Sequence, residues 1–389
     1  MAIRKRELPK TAVDSATAYV ESGKNILLNH AANELVFAVV GHVGSGTSVI
    51  AEQLEHLLKE EKLTADKPFE VARVSARKHI EQWAKDTGKQ IPSNKREVAT
   101  ATAYQDLGDA MRLETRDNAA VARAMVGSIV AQRARFQGKE VSDEPIKPDG
   151  KRRAYILESI RHPEEVQLLR HLYQDAFILV GVVTLEEPRS LRLTNKYSDC
   201  GKDSAIKFMR RDAKDGLKHG QRVSDAFHLA DFFVDNTADR NSRDWDVAEV
   251  LSRLIKIVLR DNIVRPKMAE TAMHDAFSAS LRSACLSRQV GAAIINSKGE
   301  LIATGTNEVP MAGGGVYGKP STKSDEPEAK HDHRCAFTNK FCSNTREQIK
   351  IVNGLIEEIP ELSAATGERK FTLPQDLRSS RIGDLIEFS

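Results

Sequence analysis

Residues Glu34–Ser48 read ELVFAVVGHVGSGTS, and this stretch decides how the first half of the chain folds. The apolar run Leu35–Val40 is short and continuous, as in a strand that is buried on both faces of a parallel sheet. Glycines follow it, and Leu54, Leu57 and Leu58 then recur at the spacing of the inner face of a helix. A strand, a glycine loop and a helix in this order place backbone N–H groups around an anion. The stretch therefore predicts a phosphate-binding loop.

The nucleotide-binding pattern G-x-x-x-x-G-K-[ST] is met at Gly41, Gly46 and Ser48, but Thr47 stands where the lysine belongs. Lysine brings a full positive charge to the β- and γ-phosphates, which a threonine hydroxyl does not replace. Ser48 can still ligand the Mg²⁺ of a bound nucleoside triphosphate such as ATP or GTP. We expect nucleotide binding without efficient phosphoryl transfer, and a tight turn that only needs glycine is the open alternative. The predicted nucleotide-binding residues are Gly41, Gly44, Ser45, Gly46, Thr47 and Ser48.

Strands and helices alternate through the rest of this region. The patterns predict strands at Phe69–Val74, Tyr155–Glu158, Phe177–Val183 and Ala230–Asn236, with a helix over Ala76–Asp86 after the first of them. Strands that are separated by helices indicate a doubly wound parallel sheet. The predicted fold class is therefore α/β, a P-loop domain, and it continues to residue 262.

A run of basic residues follows the strand Phe177–Val183. It lies where nucleotide kinases carry the lid that clamps phosphates, yet Asp199, Asp203, Asp212 and Asp215 are interspersed. A phosphate lid and a solvated charged face both remain open. The basic residues are Arg189, Arg192, Lys196, Lys202, Lys207, Arg210, Arg211 and Lys214.

Composition excludes several classes of protein. Basic and acidic residues number 58 and 55, a balance of +3 that is too small for a general nucleic-acid or membrane binder. Aromatic residues are only 5%, so stacking surfaces for single strands are scarce. The apolar runs are too short for a membrane span, and four cysteines suit a reducing compartment. We expect a soluble protein of the cytoplasm, with no membrane partner.

The pattern changes near residues 262–267. Met268–Cys285 has the composition of a helix, and Val290–Ile295 and Leu301–Gly305 flank the turn Ser297–Gly299 as a hairpin. The predicted organisation is an N-terminal extension over 1–30, a P-loop domain over 31–262, and a second domain over 268–389 with an insert over 312–375.

The segment Cys285–Ala292 reads CLSRQVGA, and Thr304–Pro310 reads TGTNEVP. With the helix before them they resemble the start of the deoxycytidylate deaminase fold. A nucleotide-kinase-like P-loop domain followed by such a domain resembles the bacterial anti-phage dCTP deaminases, and Gly305–Tyr317 is the strongest part of that likeness. The resemblance implies a partial cytidine-deaminase-like α/β domain and zinc-dependent hydrolysis of deoxycytidine nucleotides to deoxyuridine nucleotides. It also implies a homo-oligomer and, in some members, a small antitoxin RNA.

The catalytic motifs of that family, H-x-E and P-C-x-x-C, are not complete in this chain. His162–Glu164 is an H-x-E, but no cysteine pair follows it, and we interpret His162 as a helix cap. The four cysteines form no C-x-x-C. We therefore predict no catalytic residue, expect no deamination by this chain, and expect the chain to stop before the motifs that hold the catalytic Zn²⁺. A nucleotide-sensing P-loop module without catalysis is the alternative function.

Two further groups of residues are candidates. By resemblance, Asn307 matches the position that contacts the substrate sugar, with Arg288 and Glu308 bordering the same pocket; a turn-capping asparagine and a surface arginine remain open. Histidines and cysteines cluster in the insert, as in a structural zinc site, although the spacings match no standard finger and buried cysteines are the alternative. The predicted metal ligands are Cys285, His331, His333, Cys335 and Cys342.

Overall fold

The chain divides into two compact units, and the boundary falls between Val264 and Arg265. The computed structural model describes residues 33–60, 68–93, 96–140, 146–213, 219–260, 263–309, 334–338 and 342–358. The predicted extension 1–30 and most of the predicted insert 312–375 lie outside these ranges. Each unit is described by itself below.

The first unit is built on a parallel sheet of five strands, in the order β2-β3-β1-β4-β5. The central strand β1 pairs with β3 on one side and with β4 on the other, and these three carry the longest apolar runs because both of their faces are covered. The predicted α/β class is confirmed. The strands are β1 (Glu34–Val40), β2 (Glu70–Ser75), β3 (Arg153–Ile160), β4 (Phe177–Val183) and β5 (Phe232–Asp235).

Helices cover both faces of this sheet. Side chains alternate along β1, so that Val36 and Val40 join one hydrophobic cluster while Phe37 and Val39 join another. The helices of this unit are α1 (Thr47–Lys59), α2 (Ala76–Asp86), α3 (Val98–Thr115), α4 (Ala120–Phe136), α5 (Pro163–Tyr173), α6 (Glu186–Lys196), α7 (Lys202–Ala213), α8 (Val223–Phe227) and α9 (Val247–Leu259), with a short 3₁₀ turn at Gln174–Ala176. Helices α4 and α5 contribute to the cluster of Val36, and α1 and α9 contribute to that of Phe37.

Sequence patterns gave no prediction for α3 and α4. The buried side of α3 includes Gln105, Asp109 and Arg112, so it lacks the apolar stripe that marks an amphipathic helix. In α4 alanines are spread around the helix, which leaves little contrast between its faces. Both helices are held by tertiary packing, which sequence periodicity does not report.

The second unit consists of a helix, a hairpin and two further helices in its described part. Helix α10 (Met268–Ser280) ends five residues before the predicted Cys285. Strands β6 (Gly291–Ile295) and β7 (Leu301–Thr306) pair antiparallel, so the predicted hairpin is confirmed. A β-carbon at Gly291 would lie 1.8 Å from the carbonyl oxygen of Ala276, so only glycine lets β6 approach α10. Helices α11 (Cys335–Thr338) and α12 (Ser343–Glu358) follow.

Candidate functional site

A cavity of about 580 Å³ opens at the carboxyl ends of the central strands, where ligands of parallel α/β sheets bind. We call Gly41–Ser48, which follows β1 directly, the glycine loop. All of its residues except Gly41 and Ser45 line the cavity, together with Ser75 at the end of β2 and with Glu158, Ser159 and Arg161 at the end of β3. Helix α3 forms a further wall. The size falls within the range of small-ligand sites.

The glycine loop needs glycine at three positions. Gly44 and Gly46 have φ angles of 82° and 87°, in the left-handed region that favours glycine. A β-carbon at Gly46 would lie 2.4 Å from Nδ2 of Asn236, and one at Gly41 would lie 2.5 Å from Oγ of Ser45. The loop is therefore packed closely on all sides, which fixes the direction of its amides.

Several loop amides have no protein partner. The Ser45 N–H donates to the His42 carbonyl at 3.0 Å, which closes the turn. Within the described ranges, no hydrogen bond from the N–H groups of Gly44, Gly46, Thr47 and Ser48 is found. Helix α1 begins at Thr47 and carries no acidic residue in its first turn. These amides and the positive end of the helix dipole make an anion-binding concavity.

Arginines of α6 hold the loop through its carbonyl groups. Nε of Arg189 donates to the Val43 carbonyl at 3.0 Å, and Nη1 of Arg192 lies 3.4 Å from the carbonyl oxygens of Gly44 and Ser45. Burial lowers the pKa of both guanidinium groups from its ordinary value, but they stay charged because arginine titrates far above neutral pH. Two members of the basic run, Arg189 and Arg192, therefore contact the loop directly.

The remaining described residues of the basic run differ in their surroundings: one lines the cavity, one forms an ion pair and three are exposed. Lys196 lines the cavity, with Nζ 5.1 Å from the centre of the Tyr197 ring. Arg211 pairs with Asp106 at 2.6 Å. Lys202, Lys207 and Arg210 are exposed on α7, as a solvated face requires, and Lys214 lies outside the described residues.

An acidic side chain reaches the loop from α7. Asp212 is buried, and its Oδ2 accepts the Val43 N–H at 2.6 Å while its Oδ1 accepts Nη1 of Arg161 at 2.8 Å. The same Arg161 nitrogen donates to the Gly41 carbonyl at 3.1 Å. His42 contacts Ser224 Oγ at 3.0 Å, and burial, followed by the charge of Arg189, lowers its pKa. Both effects favour the neutral imidazole of His42.

The cavity carries an excess of positive charge. Arg161 is neutralised by Asp212, and Arg112 by Asp109 and Glu165. Among the described residues, no ion pair to an acidic group is found for Arg77, Arg192 or Lys196. A cavity with amide donors and uncompensated cations favours a multiply charged anion.

Sequence reasoning missed several residues of this site, among them Arg161, Glu158 and Ser159. Glu158 follows the apolar run 154–157 within β3 and lines the cavity, with Oε1 2.7 Å from Nε of Arg73. Ser159 has a φ of 70° at a point where the register between β1 and β3 shifts, so this strand end is distorted beside the cavity. A charged residue directly after a buried apolar run was the available signal.

His162 caps α5, as interpreted from the sequence. Its Nδ1 accepts the Glu164 N–H at 3.2 Å, and the His162 N–H donates to Oε2 of Glu165 at 3.2 Å. Pro163 occupies the first turn of the helix. Burial lowers the pKa of His162. This residue supports the helix start next to Arg161.

Asn307 ties the end of the hairpin to the segment after α10. Its Oδ1 accepts hydrogen bonds from Ser283 Oγ and from the Val290 N–H, both at 2.8 Å, and its Nδ2 donates to the Arg288 carbonyl at 2.7 Å. Glu308 forms an ion pair with Arg334 at 3.2 Å. The three predicted substrate residues therefore lie together, and the hydrogen bonds and the ion pair described here connect them to other parts of the protein.

The predicted metal ligands are only partly described. Cys285 and Cys342 are hydrogen-bonded through their thiols, and the Ala336 N–H next to Cys335 donates to the Ala284 carbonyl at 3.1 Å. Hydrogen bonds from the backbone of Arg288 and Ser287 lower the pKa of the Cys285 thiol. Within the described ranges no group of three potential ligands forms a metal site. His331 and His333 lie outside those ranges.

Comparison with known proteins does not assign a function to this chain. No protein-family model matches the sequence, and no curated protein is significantly similar to it. None of the helices in the described ranges combines the length and apolar character needed to cross a bilayer. The structure shows an α/β protein with a cavity, lined by arginine and lysine side chains, at the carboxyl edge of its parallel sheet.

Proposed function

We propose that the first unit binds the phosphate groups of a nucleotide at the glycine loop, as a P-loop does, and acts through binding. The observation that carries the proposal is the set of amides at Gly44, Gly46, Thr47 and Ser48, which face the cavity without protein partners. Phosphate oxygens are strong acceptors and match such a concavity at a helix N-terminus. The unpaired cations of the cavity add attraction for a di- or triphosphate.

Two features favour binding over phosphoryl transfer. Thr47 brings no positive charge to the place where the pattern requires lysine. The Asp212 carboxylate stands beside the loop, where negative charge opposes the charge that develops in the transition state. The hydroxyl of Ser48 and the carboxylate of Glu158 would hold the Mg²⁺ that accompanies a bound triphosphate.

Calorimetric titration of the full chain with ATP, GTP and inorganic tripolyphosphate, with and without Mg²⁺, tests this function. Lys196→Gln is expected to weaken binding about tenfold, since a charge-assisted contact is lost. Lys207→Gln, on the exposed side of α7, is the matched control and should leave affinity unchanged. Absence of binding by all three compounds at millimolar concentration would contradict the proposal.

The second unit supports a second candidate, recognition of a deoxycytidine nucleotide at the hairpin. Oδ1 of Asn307 accepts two hydrogen bonds, and one N–H of its Nδ2 donates to the Arg288 carbonyl. The second N–H of Nδ2 can donate to a sugar hydroxyl. Equilibrium dialysis of the full chain with labelled dCTP and dCMP, with and without Asn307→Ala, tests this. If Asn307→Ala binds dCTP as well as the native chain does, the hairpin has no part in recognition.

A further inference from the structure

Helix α3 turns an unusual face toward the cavity. Ala101, Tyr104, Gln105, Gly108 and Arg112 line it, at the spacing of one side of a helix. A side that packs inward in a globular domain normally carries aliphatic residues. Here Gln105 and Arg112 are buried on the same side as Ala101 and Gly108, whose small size leaves space in the cavity.

Gln105 and Arg112 each keep a buried polar atom for which the described part of the chain offers no hydrogen-bond partner. Nε2 of Gln105 donates to Oε1 of Gln221 at 3.3 Å, which leaves Oε1 of Gln105 unsatisfied. Nε of Arg112 is likewise unsatisfied, and its two Nη atoms are fixed by Asp109 and Glu165. A buried polar group without a partner destabilises the fold, because it loses its hydrogen bonds to water and gains none in return. Such a cost is characteristic of sites whose ligand supplies the missing partner.

The walls beside these polar groups combine a guanidinium stacked on an aromatic ring with aliphatic side chains. Cζ of Arg77 lies 4.3 Å from the centre of the Tyr104 ring, and burial raises the pKa of Tyr104 to about 12, so its hydroxyl donates to Glu81. Ile80 and Val121 complete this end of the cavity. A stacked guanidinium and ring beside aliphatic side chains suit the face of a planar heterocycle.

From this arrangement we infer that the cavity has a second subsite, at Gln105 and Gln221, that takes the base of the nucleotide. The inference rests on the proposed function, because the same ligand places its phosphates on the glycine loop. Both glutamines are more than nine-tenths buried, and their paired amides present an acceptor on Gln105 and a donor on Gln221. Adjacent donor and acceptor groups are what the hydrogen-bonding edge of a nucleobase requires.

The test compares the affinity of the full chain for nucleoside triphosphates with that for inorganic tripolyphosphate, which has no base. ATP, GTP, CTP, dCTP and UTP are titrated in turn. At least one of them should bind more tightly than tripolyphosphate. Gln105→Leu should abolish that preference, a loss of about tenfold for one or two hydrogen bonds, while the affinity for tripolyphosphate stays the same. Gln167→Leu, at an exposed glutamine of α5, is the matched control.

The variants also separate a binding role from a structural one. Gln105→Leu removes one unsatisfied buried acceptor but deprives Oε1 of Gln221 of its donor, so the free energy of unfolding should change little. Gln221→Leu provides a second variant should the first fail to fold. Equal affinity of the native chain for tripolyphosphate and for every nucleotide would overturn the base subsite and leave the phosphate site standing. Binding of none of these compounds would overturn both.

Discussion

The carboxylate of Asp212 lies 2.6 Å from the backbone nitrogen of Val43, so an acidic side chain from α7 occupies an amide of the glycine loop. The same carboxylate neutralises Arg161, which holds the Gly41 carbonyl. A fixed negative charge therefore stands at the mouth of the proposed phosphate site. The carboxylate repels a bound anion, whereas the lysine of the pattern, where this chain has Thr47, would attract it.

Removing that charge should strengthen anion binding. Asp212→Asn keeps an oxygen that can accept the Val43 N–H, but it leaves Arg161 uncompensated beside the loop. We expect tripolyphosphate to bind about tenfold more tightly, since charges interact strongly in a partly buried site. Asp203→Asn, at an exposed position of α7, is the control, and calorimetry is the measurement. Unchanged affinity of Asp212→Asn for tripolyphosphate would show that the Asp212 carboxylate does not interact electrostatically with the bound anion.

Restoring the lysine of the pattern should also strengthen binding. Thr47→Lys places an ammonium group at the start of α1, next to the free amides. The affinity for ATP should rise about tenfold at low salt, and this gain should shrink as ionic strength increases. Titrations at two salt concentrations measure it. A gain that does not depend on salt, or no gain, would indicate that phosphates do not approach this turn.

Alanine at Gly46 should destabilise the protein more than alanine at a glycine of similar conformation. Gly138 has a φ of 65° with no atom within 4 Å of a β-carbon, whereas Gly46 adds the contact with Asn236 at 2.4 Å. Gly138→Ala should cost about 1–2 kcal/mol from backbone strain alone, and Gly46→Ala should cost more. Urea unfolding of both variants gives the comparison. An equal loss of unfolding free energy in the two variants would mean that the Asn236 side chain moves away from the new β-carbon at no cost.

Acid should weaken a cluster at the opposite ends of the strands. Arg153 is fully buried; Nη2 donates to Asp149 at 2.9 Å and Nε to Glu70 at 2.9 Å. The hydrogen bond from Arg153 lowers the pKa of Asp149 to about 2 in the folded chain, against 3.8 ordinarily. Its stabilisation is therefore complete above about pH 4 and is lost as pH falls toward 2.

Unfolding by urea at pH 6 and at pH 3, for the native chain and for Asp149→Asn, measures this contribution. The difference in unfolding free energy between the two proteins should be larger at pH 6. Asp175→Asn, an exposed aspartate in the 3₁₀ turn, should show no such dependence. A difference that is constant with pH would exclude the Arg153 contact as its source.

Local patterns predicted the strands well because most are short apolar runs and β2 alternates between apolar and polar residues. The edge strand β5 is shorter than the predicted 230–236, and β3 extends two residues beyond the predicted 155–158 at each end. Helix α3 was missed because its inner face carries Gln105 and Arg112, whose burial is rewarded only by partners distant in sequence. The proposed base subsite was invisible for the same reason.

The sequence by itself determined the α/β alternation, the glycine loop between β1 and α1, and the β6–β7 hairpin, because hydrophobic period and turn chemistry are local properties. Only the tertiary structure decided which charges meet at the loop. Asp212, Arg161 and Arg189 come from three separate elements that the parallel sheet brings to one edge. Their pairing depends on distance in space, which no spacing along the chain encodes.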